Sequence, residues 1–170
     1  MRPSGLIVFI TLPLLFLAHS PEAAEQHGTG MQIRVESADS REPIQGLDAF
    51  FTGKVKVEAL FSAQGEARSS GANVTFEAGS RTHWHTHPIG QTLIVTSGTG
   101  WVQQEGSARI QIQTGSLVSI PANVVHWHGA TSYTSMSHIA IQEVQNGSAV
   151  TWLEAVTDAQ YLNAALPGSR

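Results

Sequence analysis

Six of the eight histidines in this chain fall between residues 83 and 138: His83, His85, His87, His126, His128 and His138. Imidazole is the commonest neutral metal ligand and the usual proton carrier near neutral pH. His85 and His87 are two apart, and on a strand such residues project from one face, so both rings can reach one ion. Gln91 follows across Pro88-Ile89-Gly90, a turn that can bring the next strand back alongside. His126 is remote in sequence and falls on another expected strand. His85, His87, Gln91 and His126 are therefore the expected ligands of one divalent metal ion. Their nitrogen and oxygen donors suit Mn, Fe, Co, Ni or Zn. Neutral imidazoles and a neutral amide oxygen leave the ion close to its full charge, which makes it a strong Lewis acid.

His128 shares the face of His126 and is the expected general base or acid, with His138 as the reserve. His138 lies on the strand face of Met136, Ala140 and Gln142, so Met136 and Gln142, with Ala72 and Val74, are expected to wall a substrate pocket. His83 reads as a solvated strand-end residue. Trp84 and Trp127 alternate outward from the ligand faces and are expected to pack between sheets or subunits.

The elements that must position these residues are short. Lys54 to Phe61 alternates polar and apolar with period 2, as a half-buried strand does. Further strand candidates are 72–77, 82–86, 91–97, 101–104, 108–113, 116–120, 125–130 and 136–142, punctuated by Gly79, Gly90, Gly98, Gly100, Gly106 and Gly115. Many short strands without intervening helices predict an all-β sandwich or barrel. With no internal repeat, one barrel is expected. Thr157-Asp158-Ala159-Gln160 forms a capping box for a short C-terminal helix carrying Tyr161, Leu162, Ala165 and Leu166.

Composition narrows the class. The chain has 170 residues, no cysteine, 13% charged residues and a net charge of −4, with no basic run. Thiol chemistry is excluded, and nucleic acid is not an expected partner. Residues 1–24 read as a signal peptide: Arg2 precedes an apolar run from Leu6 to Ala18, too short to span a bilayer comfortably. Cleavage is expected near Ala18-His19-Ser20 or Ala23-Ala24. The protein is thus expected to be exported, periplasmic or secreted, with no membrane contact once processed. Residues 25–48 read as an N-terminal arm with a short strand near Ile33–Val35, and 49–166 as the domain.

The same residues carry a family resemblance. Gly79, His85, His87, Gln91 and Gly98 match the spacing of the first cupin motif, with Gln in place of Glu. Gly115, Pro121 and His126 match the second, with Asn123 replacing a Gly and Ala130 an Asn. Asn tolerates positive φ better than most residues, so the turn at 123 can survive. The resemblance implies a single jelly-roll-like cupin barrel. A closer likeness spans roughly residues 50–161, including Trp84-His85-Thr86-His87-Pro88 and His126-Trp127-His128-Gly129-Ala130. It resembles the bacterial manganese-dependent hydroxynitrile lyases of cupin fold, which interconvert a cyanohydrin with an aldehyde and hydrogen cyanide. Those lyases carry Ala at the position of His83. This likeness implies Mn as the ion, a small oxygenated organic substrate and a homo-oligomer, dimer or tetramer. Two other classes compete on the residues alone: a redox cupin activating dioxygen, and a non-catalytic binding module.

Overall fold

The computed structural model describes residues 32–162. The chain divides into two compact units, Met1–Val35 and Glu36–Arg170. In the described part of the first, Ile33–Val35 does not form the expected strand, and both apolar side chains are exposed. Three alternating residues offer too little ladder hydrogen bonding to hold a strand without a partner. The signal peptide, residues 25–31 and the helix positions Ala165 and Leu166 lie outside the described residues.

The second unit opens with a 3-10 turn, Ala38–Ser40, and is otherwise almost entirely β. Its strands in chain order are β1 (Ile44–Gln45), β2 (Phe51–Thr52), β3 (Val55–Phe61), β4 (Ser69–Phe76), β5 (Arg81–Thr82) and β6 (His85–Thr86). There follow β7 (Gln91–Gln104), β8 (Ile110–Gln113), β9 (Leu117–Ile120), β10 (His126–Ala130), β11 (Met136–Glu143) and β12 (Thr151–Trp152). A single helical turn, α1 (Asp158–Tyr161), closes the described chain.

Pairing is antiparallel throughout. One sheet runs β1–β3–β4–β11 and continues into the first half of β7, which also pairs β9. The other runs β2–β5–β10 into the second half of β7, which also pairs β8; β6 pairs β10, and β12 pairs β6. β7 therefore belongs to both sheets. The sequence predicts two strands there, 91–97 and 101–104, separated by a glycine turn. Instead Gly98, at φ 74°, and Gly100 let one long strand bend from sheet to sheet. A Cβ on Gly98 would sit 1.9 Å from the Ser135 carbonyl oxygen, and one on Gly100 would sit 2.3 Å from that of Gly129. Only glycine admits so close a backbone approach.

The inward faces bury Val55, Phe76, Leu93, Val95, Val102, Ile112 and Met136. Full burial of side chains such as Phe76 or Leu93 contributes about 2–3 kcal/mol each. A second cluster of Trp84, Trp127, Val156 and Tyr161 lies behind the histidine strands. Trp84 and Trp127 do point away from the ligand face, and the C-terminal segment covers them. Arg81 clamps that segment. Its guanidinium donates to the Val156 carbonyl at 2.8 and 3.2 Å and to Asp158 at 2.7 Å, and lies 4.5 Å from the Tyr161 ring centroid. The Tyr161 hydroxyl donates to the Ala130 carbonyl. The expected capping box is present, with the Thr157 hydroxyl accepting from the Gln160 amide.

Candidate metal centre

Cross-strand register brings the histidines together. His85 on β6 lies opposite His126 on β10, and Trp152 on β12 lies opposite His85. The His85 and His126 ring centroids are 4.2 Å apart, and that of His87 is 5.1 Å from His85 and 5.7 Å from His126. Gln91, at the start of β7, places its Oε1 3.3 Å from His126 Nε2. All four expected ligands thus converge, and all four are buried. Asn123, at φ 61°, takes the left-handed turn expected of it before β10.

Three of the imidazoles, all expected ligands, share one hydrogen-bond pattern. Nδ1 of His85 faces the His83 carbonyl at 2.9 Å, that of His87 the Ala149 carbonyl at 2.6 Å, and that of His126 the Val124 carbonyl at 2.9 Å. A carbonyl oxygen only accepts, so each Nδ1 carries the proton and each Nε2 presents a bare lone pair. His87 Nε2 is buried with no partner. His126 Nε2 and Gln91 Oε1, both acceptors, face each other. Such an array of inward lone pairs is unfavourable by itself and is what a divalent cation satisfies. The residues fit a metal ion.

His128 behaves differently. Its Nδ1 pairs with His138 Nε2 at 3.1 Å, not with a backbone carbonyl, and its Nε2 is a further buried atom without a partner. Among the described residues, the group of His, Asp or Glu side chains whose ligand atoms all lie within 4.8 Å of one another is His85, His126 and His128; His87 lies outside it. His128 is therefore near enough to be a ligand as well as a base. Its coupling to a second titratable ring favours proton transfer. Burial, reinforced by neighbouring imidazoles, pushes His85 and His128 well below the usual histidine range. Burial lowers His87 and brings His126 and His138 to about 4. All five rings are neutral at pH 7, as ligands and bases must be.

A cavity of about 140 Å³ opens beside these rings. Ala72, Val74, His128, His138 and Gln142 line it, together with Phe51, Val57, Ala140, Val150 and Trp152. Met136 does not. It pairs with Phe76 in the dry core and packs its sulfur against Gly100, while Phe76 stands against both His128 and His138. Sharing a strand face with His138 was not enough to reach the cavity. His83 is also outside it, half-buried beside the Ala49–Phe50 turn.

A family profile described as a cupin domain matches residues 72–141. Over 129 residues the chain is 49% identical to an (R)-mandelonitrile lyase from Granulicella tundricola, covering 76% of this chain and 98% of that one. The chain belongs to the cupin family. This cupin is also similar to a cupin-like protein from Thermotoga maritima, at 41% identity and TM-score 0.68, over 74% of this chain and 94% of that one. A cupin-2 domain protein from Rhodospirillum rubrum shares the fold alone, at 16% identity and TM-score 0.58, over 78% of this chain and 85% of that one.

Sequence reasoning missed one wall of the cupin's cavity. Ala149, Val150 and Trp152 return over the site because Asn146 and Gly147, both at positive φ, make a tight turn closed by the Gln145–Ser148 bridge. Asn-Gly is the strongest short hairpin signal, so this return was legible. The Trp152 ring lies 4.8 Å from His85 and stacks on Phe50 at 4.9 Å. Thr82 was also missed; it lines the cavity, and its hydroxyl accepts from the His128 amide.

Proposed function

We propose that this cupin is a metal-dependent lyase that cleaves aryl cyanohydrins to an aldehyde and hydrogen cyanide, and forms them in reverse. One observation carries the reading: the cavity is apolar along most of its wall, with partnerless imidazole nitrogens at one end. No Lys, Arg, Asp or Glu is among its described lining residues. Apart from the ion itself, a carboxylate substrate would find no cationic side chain to hold it, whereas a neutral molecule with a hydroxyl at one end and an apolar group at the other fits. The volume of about 140 Å³ is close to that of an engineered apolar cavity, about 150 Å³, that takes up benzene. The similarity to a mandelonitrile lyase supports the same aryl-sized substrate.

An ion held by His85, His87, Gln91 and His126 would supply Lewis acidity that lowers the pKa of a hydroxyl. The resemblance to the manganese-dependent lyases favours Mn. His128 takes the hydroxyl proton on Nε2, while its Nδ1–H donates to His138 Nε2 and spreads the charge. The C–C bond breaks with its electron pair leaving on cyanide, and the carbonyl forms. His128 then returns its proton to cyanide, which departs as hydrogen cyanide. Phe51, Val74, Ala140 and Trp152 hold the aryl group and exclude water. The apolar run from Leu6 to Ala18 supports export. Exposed Ile94 and Leu117, paired across β7 and β9, support self-association.

The test is benzaldehyde release from mandelonitrile by the Mn-loaded protein, with dissolved oxygen followed in parallel. The reading predicts cleavage without oxygen uptake. Oxygen consumption with no cyanide released would replace it with a redox reaction.

A further inference from the structure

Gln91 can serve a cation only through its oxygen; turned over, it would aim two N–H groups at the ion. Which end faces inward depends on what its other end meets. Gln91 Nε2 donates to Gln142 Oε1 at 3.4 Å, Gln142 Nε2 donates to Ser70 Oγ at 3.1 Å, and the Ser70 hydroxyl donates to the Gln142 carbonyl at 3.3 Å. The three residues form one cross-strand row, with Gln142 on β11 opposite Gln91 on β7 and Ser70 on β4.

The polarity of this row is fixed from its outer end. A main-chain carbonyl cannot donate, so it takes the single Ser70 hydroxyl proton and leaves Oγ as an acceptor. Gln142 must then turn its amide to Ser70 and its oxygen to Gln91. Gln91 in turn gives its amide to Gln142 and sends Oε1 toward His126. The competing arrangement is real. With both amides reversed, a Gln91 N–H would satisfy the His126 lone pair and leave the site content without an ion.

We propose that Gln142 and Ser70 are positioning residues that hold the Gln91 amide with its oxygen toward the metal centre, and so set affinity for the ion. This rests on the metal-centre reading but not on the lyase reaction, and it assigns Gln142 a role beyond walling the cavity. Outer partners of metal ligands are worth about 10–100-fold in affinity.

The experiment measures Mn²⁺ dissociation constants of the full chain by chelator competition. Gln142→Leu should bind about 10-fold more weakly than the parent. Gln142→Glu, an acceptor toward Gln91 that can also accept from Ser70, should bind at least as tightly as the parent. Ser70→Ala, which frees Gln142 to turn, should lose affinity by a smaller factor. The deciding control is Gln91→Glu. A carboxylate has oxygen at both ends, so orientation loses its meaning, and Gln142→Leu in that background should change affinity by less than about 3-fold. Equal losses in the two backgrounds would make Gln142 a merely structural support and overturn the proposal. So would parent-like binding by Gln142→Leu, with folding checked by melting in chelator. A parent chain that binds no Mn²⁺ would overturn the metal-centre reading itself, a result distinct from either.

Discussion

Acidifying the chelator-treated protein should destabilise it steeply between pH 7 and pH 5. His126 and His138 are 1% and 0% exposed, and burial brings both imidazoles from 6.5 to about 4. In the unfolded chain they return to about 6.5. Between those values the unfolded state binds protons that the folded state refuses. Stability therefore rises with pH across this window and is lost as pH falls from about 6.5 toward about 4. Each ring then loses about 2 kcal/mol between pH 7 and pH 5, and the pair about 4 kcal/mol. His85, His87 and His128 are shifted in the same direction and add to the loss. Glu58, held below 4.5 mainly by its hydrogen bond from Arg41, titrates beneath the window and does not contribute. Against a typical total of about 5–15 kcal/mol, this is a large fraction. The assay is urea unfolding in excess chelator at pH 7, 6 and 5, followed by circular dichroism. His138→Leu should flatten the pH dependence by about 2 kcal/mol. A stability that changes by less than about 1 kcal/mol over the range would refute the claim that these rings are buried and neutral.

Three further outcomes follow from the site. His128→Ala should retain the metal while losing on the order of a hundredfold in cyanohydrin turnover, measured by benzaldehyde absorbance; near-parental turnover alongside an inactive His138→Ala would reverse the two roles. Gln91→Glu should hold Mn²⁺ at least as tightly by chelator competition but turn over more slowly, because the added charge weakens the Lewis acid. Ala140→Leu, at a 5% exposed position on the cavity wall, should fill much of the 140 Å³ and raise KM for mandelonitrile more than for a small aliphatic cyanohydrin.

The convergence of His85, His87 and Gln91 was legible because its information is local. His85 and His87 obey the two-residue strand period, and the Pro88-Ile89-Gly90 turn announces that Gln91 returns beside them. The deeper geometry was less legible where it depends on register. Ala72 and Val74 reach the cavity and Met136 does not, though all sit on inward faces. The difference is depth along the barrel, set by Phe76 and by the close passage of Gly100, which no period reveals. Glycines in sequence look like turns, so the pattern over β7 suggests two strands; in the structure they let one strand change sheets. Trp152 follows an Asn146-Gly147 turn that the sequence announces, but its place over the cavity depends on pairing with β6. The pairing of His128 with His138 required strands β10 and β11 to be placed across the barrel from one another.

Metal-dependent cleavage is tested most directly by titrating the chelator-stripped protein with Mn²⁺ while following benzaldehyde release from mandelonitrile. Turnover should be absent at the start, rise linearly and saturate at one ion per chain, and the same titration of His126→Ala should stay flat while that variant remains folded. Full turnover in the stripped protein, or saturating metal with no turnover at all, would contradict it.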